Sequence, residues 1–186
     1  MNALEVDSLL VRTGAILQGH FRLTSGRHSP TYIEKFRIME DPVATTALCG
    51  MIADRFRNEN MSVVVGPATG GIILASETAR QLGVRAIFAE KSEASGLKFD
   101  RGFTLSPGEK TLIVDDVLTT GGSVRQVLSL VTAAAADVRG IGFLIDRTAG
   151  AVDFGHPLFA CHAFTIESYD PTACPLCRAG LPLVET

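Results

Sequence analysis

The hydrophobic pattern of the chain alternates between two periods. Short, mainly apolar stretches at 61–65, 84–88, 111–114, 139–146 and 158–166, continuous at Leu112-Ile113-Val114, read as strands buried in a parallel sheet. Between them the apolar positions recur at helical spacing. A first helix is predicted over about 3–17, with Leu9, Leu10, Ile16 and Leu17 as its apolar positions, and Gly19-His20-Phe21 as its break. Asp41-Pro42 opens a second, because an acid at the N-cap and Pro at the first helical position suit a helix start; Ala47, Leu48, Met51 and Ile52 carry it to about Arg57. A third runs through Ile72, Leu74, Ala75 and Ala79 to Leu82, where Gly83 stops it. A fourth places Val124, Val127, Leu128 and Val131 on one stripe and ends in the alanines at 133–136. Residues 21–35 form two extended pieces around a turn at Ser25-Gly26. Strands alternating with helices predict an α/β fold: a central, mainly parallel twisted sheet flanked by helices, with right-handed crossovers.

Composition narrows the classes. A chain of 186 residues suits a single domain, and a second barrel domain has no room. The 46% hydrophobic and 20% charged content is that of an ordinary globular protein, and no apolar run approaches a membrane span. The first residues lack a basic region followed by an apolar core, so no secretory signal is expected and the chain is assigned to the cytoplasm. A net charge of -3 argues against nucleic acid as a partner. An anionic substrate then requires local basic groups.

The chemistry concentrates in Thr111-Leu-Ile-Val-Asp-Asp-Val-Leu-Thr-Thr-Gly-Gly-Ser-Val124. Two carboxylates, Asp115 and Asp116, end a buried strand; a turn of small residues follows, then a helix N-terminus. A glycine-rich turn alone leaves phosphate binding open, since many such turns bind nothing. The adjacent acids sharpen the reading, because buried carboxylates are costly without partners. Amides and helix dipole hold a phosphate, while the carboxylates accept hydrogen bonds from sugar hydroxyls. No Lys follows the glycines, so this is not a P-loop, nor is it a dinucleotide fingerprint. Gly66-Pro-Ala-Thr-Gly-Gly71 is either a second anion-binding turn or a tight turn without ligand. Arg147, after Asp146 at another strand end, can fork to a carboxylate or form a surface ion pair.

The polar stretch 90–109 lies between two buried strands and reads as a functional lid or as a plain β-hairpin excursion. The four cysteines are Cys49, Cys161, Cys174 and Cys177. Cys174-Pro-Leu-Cys177 is half of a zinc knuckle with no second pair nearby in sequence. Cys161 and His162 complete it only if the fold, or a second subunit, brings ligands close. Structural thiols are the favoured reading.

The stretch from Ile113 to Ser123 resembles, almost residue for residue, the substrate motif of type I phosphoribosyltransferases. Gly19-His-Phe-x-Leu-Thr-Ser-Gly-Arg-His-Ser29, Phe88-Ala-Glu-Lys91 and Leu144-Ile-Asp-Arg147 extend the resemblance to the orotate phosphoribosyltransferases over about residues 10–150. It implies the type I phosphoribosyltransferase fold, with an N-terminal hood at about 1–40, a flexible catalytic loop at 90–109 and a C-terminal tail at 167–186. It also implies 5-phosphoribosyl-1-diphosphate (PRPP) and orotate as substrates, Mg2+ held mainly through PRPP, and a homodimer that shares the loop between subunits. Carried over, Asp115 and Asp116 hold the ribose, and Val117, Leu118, Thr119, Thr120, Gly121, Gly122 and Ser123 complete the PRPP site. Lys91 reaches the PRPP phosphates, and Thr119 and Arg147 contact orotate. The family's basic residues are absent where Thr24 and Gly70 stand, and the loop lacks a His; Lys35, Lys98 and Arg101 are the candidate replacements. A PRPP sensor without catalysis, or transfer to another base, are the competing readings. No basic helix-turn-helix supports the sensor.

Overall fold

A computed structural model of the chain describes residues 1–93 and 96–186. In chain order it contains α1 (Ala3–Arg12), β1 (Ile16–Arg22), β2 (His28–Ile33), α2 (Phe36–Met39), α3 (Pro42–Phe56), β3 (Val63–Pro67), α4 (Gly70–Leu82) and β4 (Arg85–Lys91). β5 (Leu97–Phe99), β6 (Lys110–Leu118), α5 (Gly122–Ala133), β7 (Asp137–Asp146), β8 (Leu158–Ala163), α6 (Pro175–Arg178) and β9 (Val184–Glu185) follow. A six-stranded sheet in the order β5-β4-β3-β6-β7-β8 forms the centre. Every neighbouring pair in it is parallel except β4 with β5. A three-stranded sheet, β2-β1-β9, joins the two ends of the chain.

The central strands carry apolar residues on both faces because both faces are covered. Val64, Leu112, Val114 and Leu144 point into a core shared with Leu48, Ile52 and Phe56 of α3 and Leu74 of α4. Their neighbours Val63, Val65, Ile113, Ile141 and Phe143 pack on the other side against Val124, Val127 and Val131 of α5. Among the described residues, no helix is long and apolar enough to cross a membrane.

Three expectations are revised. The first helix stops at Arg12, because Gly14 takes a left-handed conformation (φ 67°). Ile16 and Leu17 therefore belong to β1, paired with Ile33 and Tyr32. Gly19-His20 breaks no helix; it occupies a register shift between Gln18 and Phe21 in the antiparallel β1–β2 hairpin. Asp115 and Asp116 do not end β6 but lie within it, since pairing with β7 continues to Leu118 opposite Asp146.

The stretch 90–109 begins as a hairpin, with Ala89, Glu90 and Lys91 opposite Phe99, Lys98 and Leu97. Ala94 and Ser95 of that stretch lie outside the described residues. Beyond β5, Phe103 sets its ring edge-on to Phe88 with centroids 5.0 Å apart.

Candidate active site

Chain order reverses between β3 and β6. From β3 the chain moves outward to β4 and β5, then returns to place β6 on the other side of β3. Loops leaving the carboxyl ends of two such strands diverge and open a crevice, the usual ligand position in an open parallel sheet. Here the crevice is a cavity of about 250 Å³ lined by Lys35, Ala68, Thr69, Gly70, Asp115, Asp116, Thr119 and Ser123, among others.

Both acids are held in place. The Ser123 hydroxyl donates to Asp115 Oδ2 at 2.6 Å, and the Asp116 amide donates to Asp115 Oδ1 at 2.8 Å. The Val117 amide donates to Asp116 Oδ1 at 2.7 Å, and Lys35 Nζ stands 2.8 Å from Asp116 Oδ2. Each carboxylate is only 6% exposed. Burial, reinforced by the adjacent Asp116, pushes Asp115 up to about 6, although the bonds from Ser123 and the Asp116 amide oppose the shift. Asp115 is thus poised to gain from further hydrogen-bond donors such as hydroxyl groups.

Two helix N-termini face the crevice, and neither is closed by a side chain. α1 and α3 cap their first turns with Asn2 and Asp41, whereas α4 starts at Thr69 and α5 at Gly121 with no side-chain cap. First-turn amides left without such partners suit anions, which the helix dipole also favours. Gly121 has φ 76°, and a Cβ there would lie 2.6 Å from Phe154 Cζ. Gly70 leaves no more room: a Cβ would lie 2.3 Å from Asp116 Oδ2. A side chain at this position would therefore have to displace Asp116 Oδ2 and the Met39 methyl.

A second cavity, of about 430 Å³, adjoins the first across Pro67, Ala68 and Ser123, and Lys91, Gly122 and Gln126 line its far side. The structure thus gathers Lys35, Asp115, Asp116, Thr119, Gly122, Ser123 and Lys91 along one edge of the sheet. Val117 lines the first cavity as well, but Leu118 turns its side chain into the core and offers only its backbone, whose carbonyl accepts the Arg147 amide at 2.9 Å. Thr120 is exposed.

Arg147 is half-buried, which lowers its pKa, and Tyr32 is its electrostatic neighbour. Its Nε is buried without a partner among the described residues, a donor suited to a planar acceptor. Lys98 and Arg101 are placed differently. They pair with Asp100 and Glu90 on the hairpin and line neither cavity. Of the three candidate replacement cations, Lys35 alone lines a cavity.

Sequence reasoning missed Tyr32 and Gln126. Gln126 stands three residues after Ser123, and helical spacing would have placed it on the same face. Nothing local marks Tyr32, which stands on β2 within electrostatic reach of Lys35, Asp116 and Arg147.

The Phosphoribosyl transferase domain family model matches residues 40–161. Over 185 residues the chain is 45% identical to orotate phosphoribosyltransferase of Desulforamulus reducens, covering 100% of this chain and 96% of that protein. It is 46% identical over 181 residues to orotate phosphoribosyltransferase of Pelotomaculum thermopropionicum, covering 97% of this chain and 95% of that one. Among solved structures, orotate phosphoribosyltransferase from Aeropyrum pernix superposes with a TM-score of 0.75 at 26% identity, over 86% of this chain and 93% of the other. Adenine phosphoribosyltransferase from Thermoanaerobacter pseudethanolicus shares the fold at a TM-score of 0.70 and 18% identity, over 88% of this chain and 100% of the other. With an acid pair, two open helix ends and full-length likeness in agreement, the chain belongs to the phosphoribosyltransferase family, in its orotate phosphoribosyltransferase branch.

Proposed function

We propose that the chain transfers the 5-phosphoribosyl group of PRPP to N1 of orotate, giving orotidine 5'-monophosphate and pyrophosphate in de novo pyrimidine biosynthesis. The observation that carries the reading is the pair of buried, hydrogen-bonded carboxylates, Asp115 and Asp116, set between two helix N-termini without side-chain caps. The acids take the ribose hydroxyls, the α5 end takes the 5-phosphate, and the α4 end, with Lys91, takes the diphosphate. Arg147 and Thr119 orient orotate.

In the transfer, the N1 lone pair of the orotate anion forms the new bond to ribose C1. The C1–oxygen bond breaks and its electron pair leaves on the diphosphate. The N1–H proton is released to solvent as the bond forms, and the ring carbonyls delocalise the charge that this leaves on the nitrogen. The protein's task is electrostatic: Asp115 and Asp116 favour the positive charge developing on the ribosyl group, and the amides and Lys91 favour the departing anion.

Mg2+ suits the site as an ion carried by the substrate. Among the described residues the group of three or more possible metal ligands is made of His and Cys, which supports Mg2+ being held mainly through PRPP. When bound, the ion would neutralise diphosphate charge. A cytoplasmic homodimer in which residues 90–109 reach the neighbouring subunit completes the proposal, with residues 1–40 as a hood over a single domain.

Loss of orotate absorbance with purified protein, PRPP and Mg2+, run beside hypoxanthine, adenine and uracil, tests the reading. Orotate consumption that disappears in D115N/D116N supports it. PRPP binding without turnover of any base points to a sensor, and turnover of another base overturns the substrate assignment.

A further inference from the structure

The two ends of the chain meet in a cluster that ribosyl transfer does not use. His20 on β1, His28 at the start of β2, and Cys174 and Cys177 around α6 point four ligand atoms at one another, all within 4.8 Å. Cys161 and His162, the partners that sequence proximity offered, go elsewhere: Cys161 Sγ donates to the Leu48 carbonyl at 3.3 Å, and His162 Nε2 lies 3.3 Å from Asp7 Oδ1. We propose that His20, His28, Cys174 and Cys177 bind one structural zinc ion, which fastens the C-terminal tail to the β1–β2 hairpin.

The three sulfur–nitrogen separations fit tetrahedral coordination, and the two nitrogens need move apart only slightly to do so. Zinc bonds of about 2.0–2.1 Å to nitrogen and about 2.3 Å to sulfur require ligand atoms roughly 3.3–3.8 Å apart. His20 Nε2 and His28 Nδ1 are 3.0 Å apart, and Cys177 Sγ lies 3.7 Å from the first and 3.3 Å from the second. Cys174 Sγ is 3.6 Å from His20 Nε2. The proton on His20 is also accounted for. Its Nδ1 stands 2.9 Å from the Leu181 carbonyl oxygen, which can only accept, so Nδ1 carries the hydrogen and Nε2 turns a lone pair into the cluster. A metal-bound histidine is commonly oriented by such a bond. Two thiolates and two neutral imidazoles leave a divalent ion with no net charge, as suits a site where His20, His28 and Cys174 are 3%, 6% and 1% exposed. Binding forms four metal–ligand bonds and releases the two thiol protons to solvent.

The tail needs such a fastening. From Pro171 to Thr186 Cys174 is the one buried residue. α6 has four residues and β9 two, too few to persist alone. A segment with almost no apolar core of its own is ordered efficiently by a metal.

The test uses the full chain, purified without a metal-affinity step from cells grown with zinc. Elemental analysis is expected to find one zinc per chain. Reduced, metal-stripped protein titrated with Co2+ is expected to show the sulfur-to-cobalt charge-transfer band and the intense visible absorption of a tetrahedral site. C177S and H28Q are expected to lose both signals, and a zinc chelator to lower the melting temperature of the wild type but not of C177S. The Co2+ titration of the wild type stands even if the variants fold poorly. Zinc-free wild type that also gives no tetrahedral cobalt spectrum overturns the site. So does zinc retained at full stoichiometry by C177S and H28Q, or a Cys174–Cys177 disulfide in the freshly isolated protein.

Discussion

At the residue scale, Asp115 is destabilising until a substrate arrives. Folded, it keeps its proton to about pH 6; unfolded, it releases it near the ordinary 3.8. Between these values the folded state binds more protons, so stability falls as pH rises through the window and stays lower above it. The penalty is on the order of 3 kcal/mol at most. D115N should therefore melt no lower than wild type near pH 8 without ligand, and the advantage should vanish below about pH 4. Its ribosyl transfer should fall roughly 100-fold or more, and wild-type kcat/KM for PRPP should decline below about pH 6 as Asp115 takes up its proton. Thermal melts across pH, beside initial rates, check both halves; a D115N that melts well below wild type at pH 8 refutes the account. Lys35 makes the converse case. Its loss strands the buried Asp116 carboxylate, which should cost about 1–3 kcal/mol and raise KM for PRPP at least tenfold. K98A and R101A remove only exposed hairpin pairs and should move stability by less than about 1 kcal/mol. Equal kinetic damage from all three would remove the distinction.

At the element scale, the alternation of strands and helices was readable because burial on both faces writes short, mainly apolar stretches, and because Asp41-Pro42 and Gly83 punctuate α3 and α4. The errors have physical causes. β6 outran its apolar run because Asp115 and Asp116 are satisfied by Ser123, Lys35 and backbone amides, so burial continued where hydrophobicity stopped. β1 was hidden because a register shift at Gln18–Phe21 disturbs the alternation that marks a strand. The acid–turn–helix stretch was legible as a site because it is local. The open end of α5 depends on Gly121, whose φ of 76° and 2.6 Å approach to the Phe154 ring leave no room for a methyl. G121A should lose about 1–3 kcal/mol and weaken PRPP use more than orotate use. Unchanged KM for PRPP in a folded G121A would mean that the loop does not hold the 5-phosphate.

At the scale of the whole molecule, the six-stranded and three-stranded sheets are held together by different kinds of contact, and sequence alone conceals those of the second. The clusters that cement the six-stranded sheet draw their buried residues from α1 through β8, and local patterns announce nearly all of them. In the three-stranded sheet β1 and β2 pair locally, but β9 and the tail groups packed behind the hairpin come from more than a hundred positions away. The His20 and Cys174 atoms meet across a separation of 154 residues, and the Ser29 hydroxyl donates to the Glu167 carbonyl across 138. No window along the sequence contains such pairs, so the CxxC was visible and its histidines were not. Removing residues 171–186 deletes β9 and two of the four cluster ligands while leaving every buried residue of the central clusters in place. Hydrogen exchange should then show β1 and β2 amides losing protection, with β3 and β6 nearly unchanged. Because Lys35 follows β2 and pairs with Asp116, a loosened hairpin should also raise KM for PRPP while the central sheet stays folded. Uniform loss of protection would mean that the two sheets fold as one cooperative unit. Intact protection of β1 and β2 would mean that the tail only decorates them.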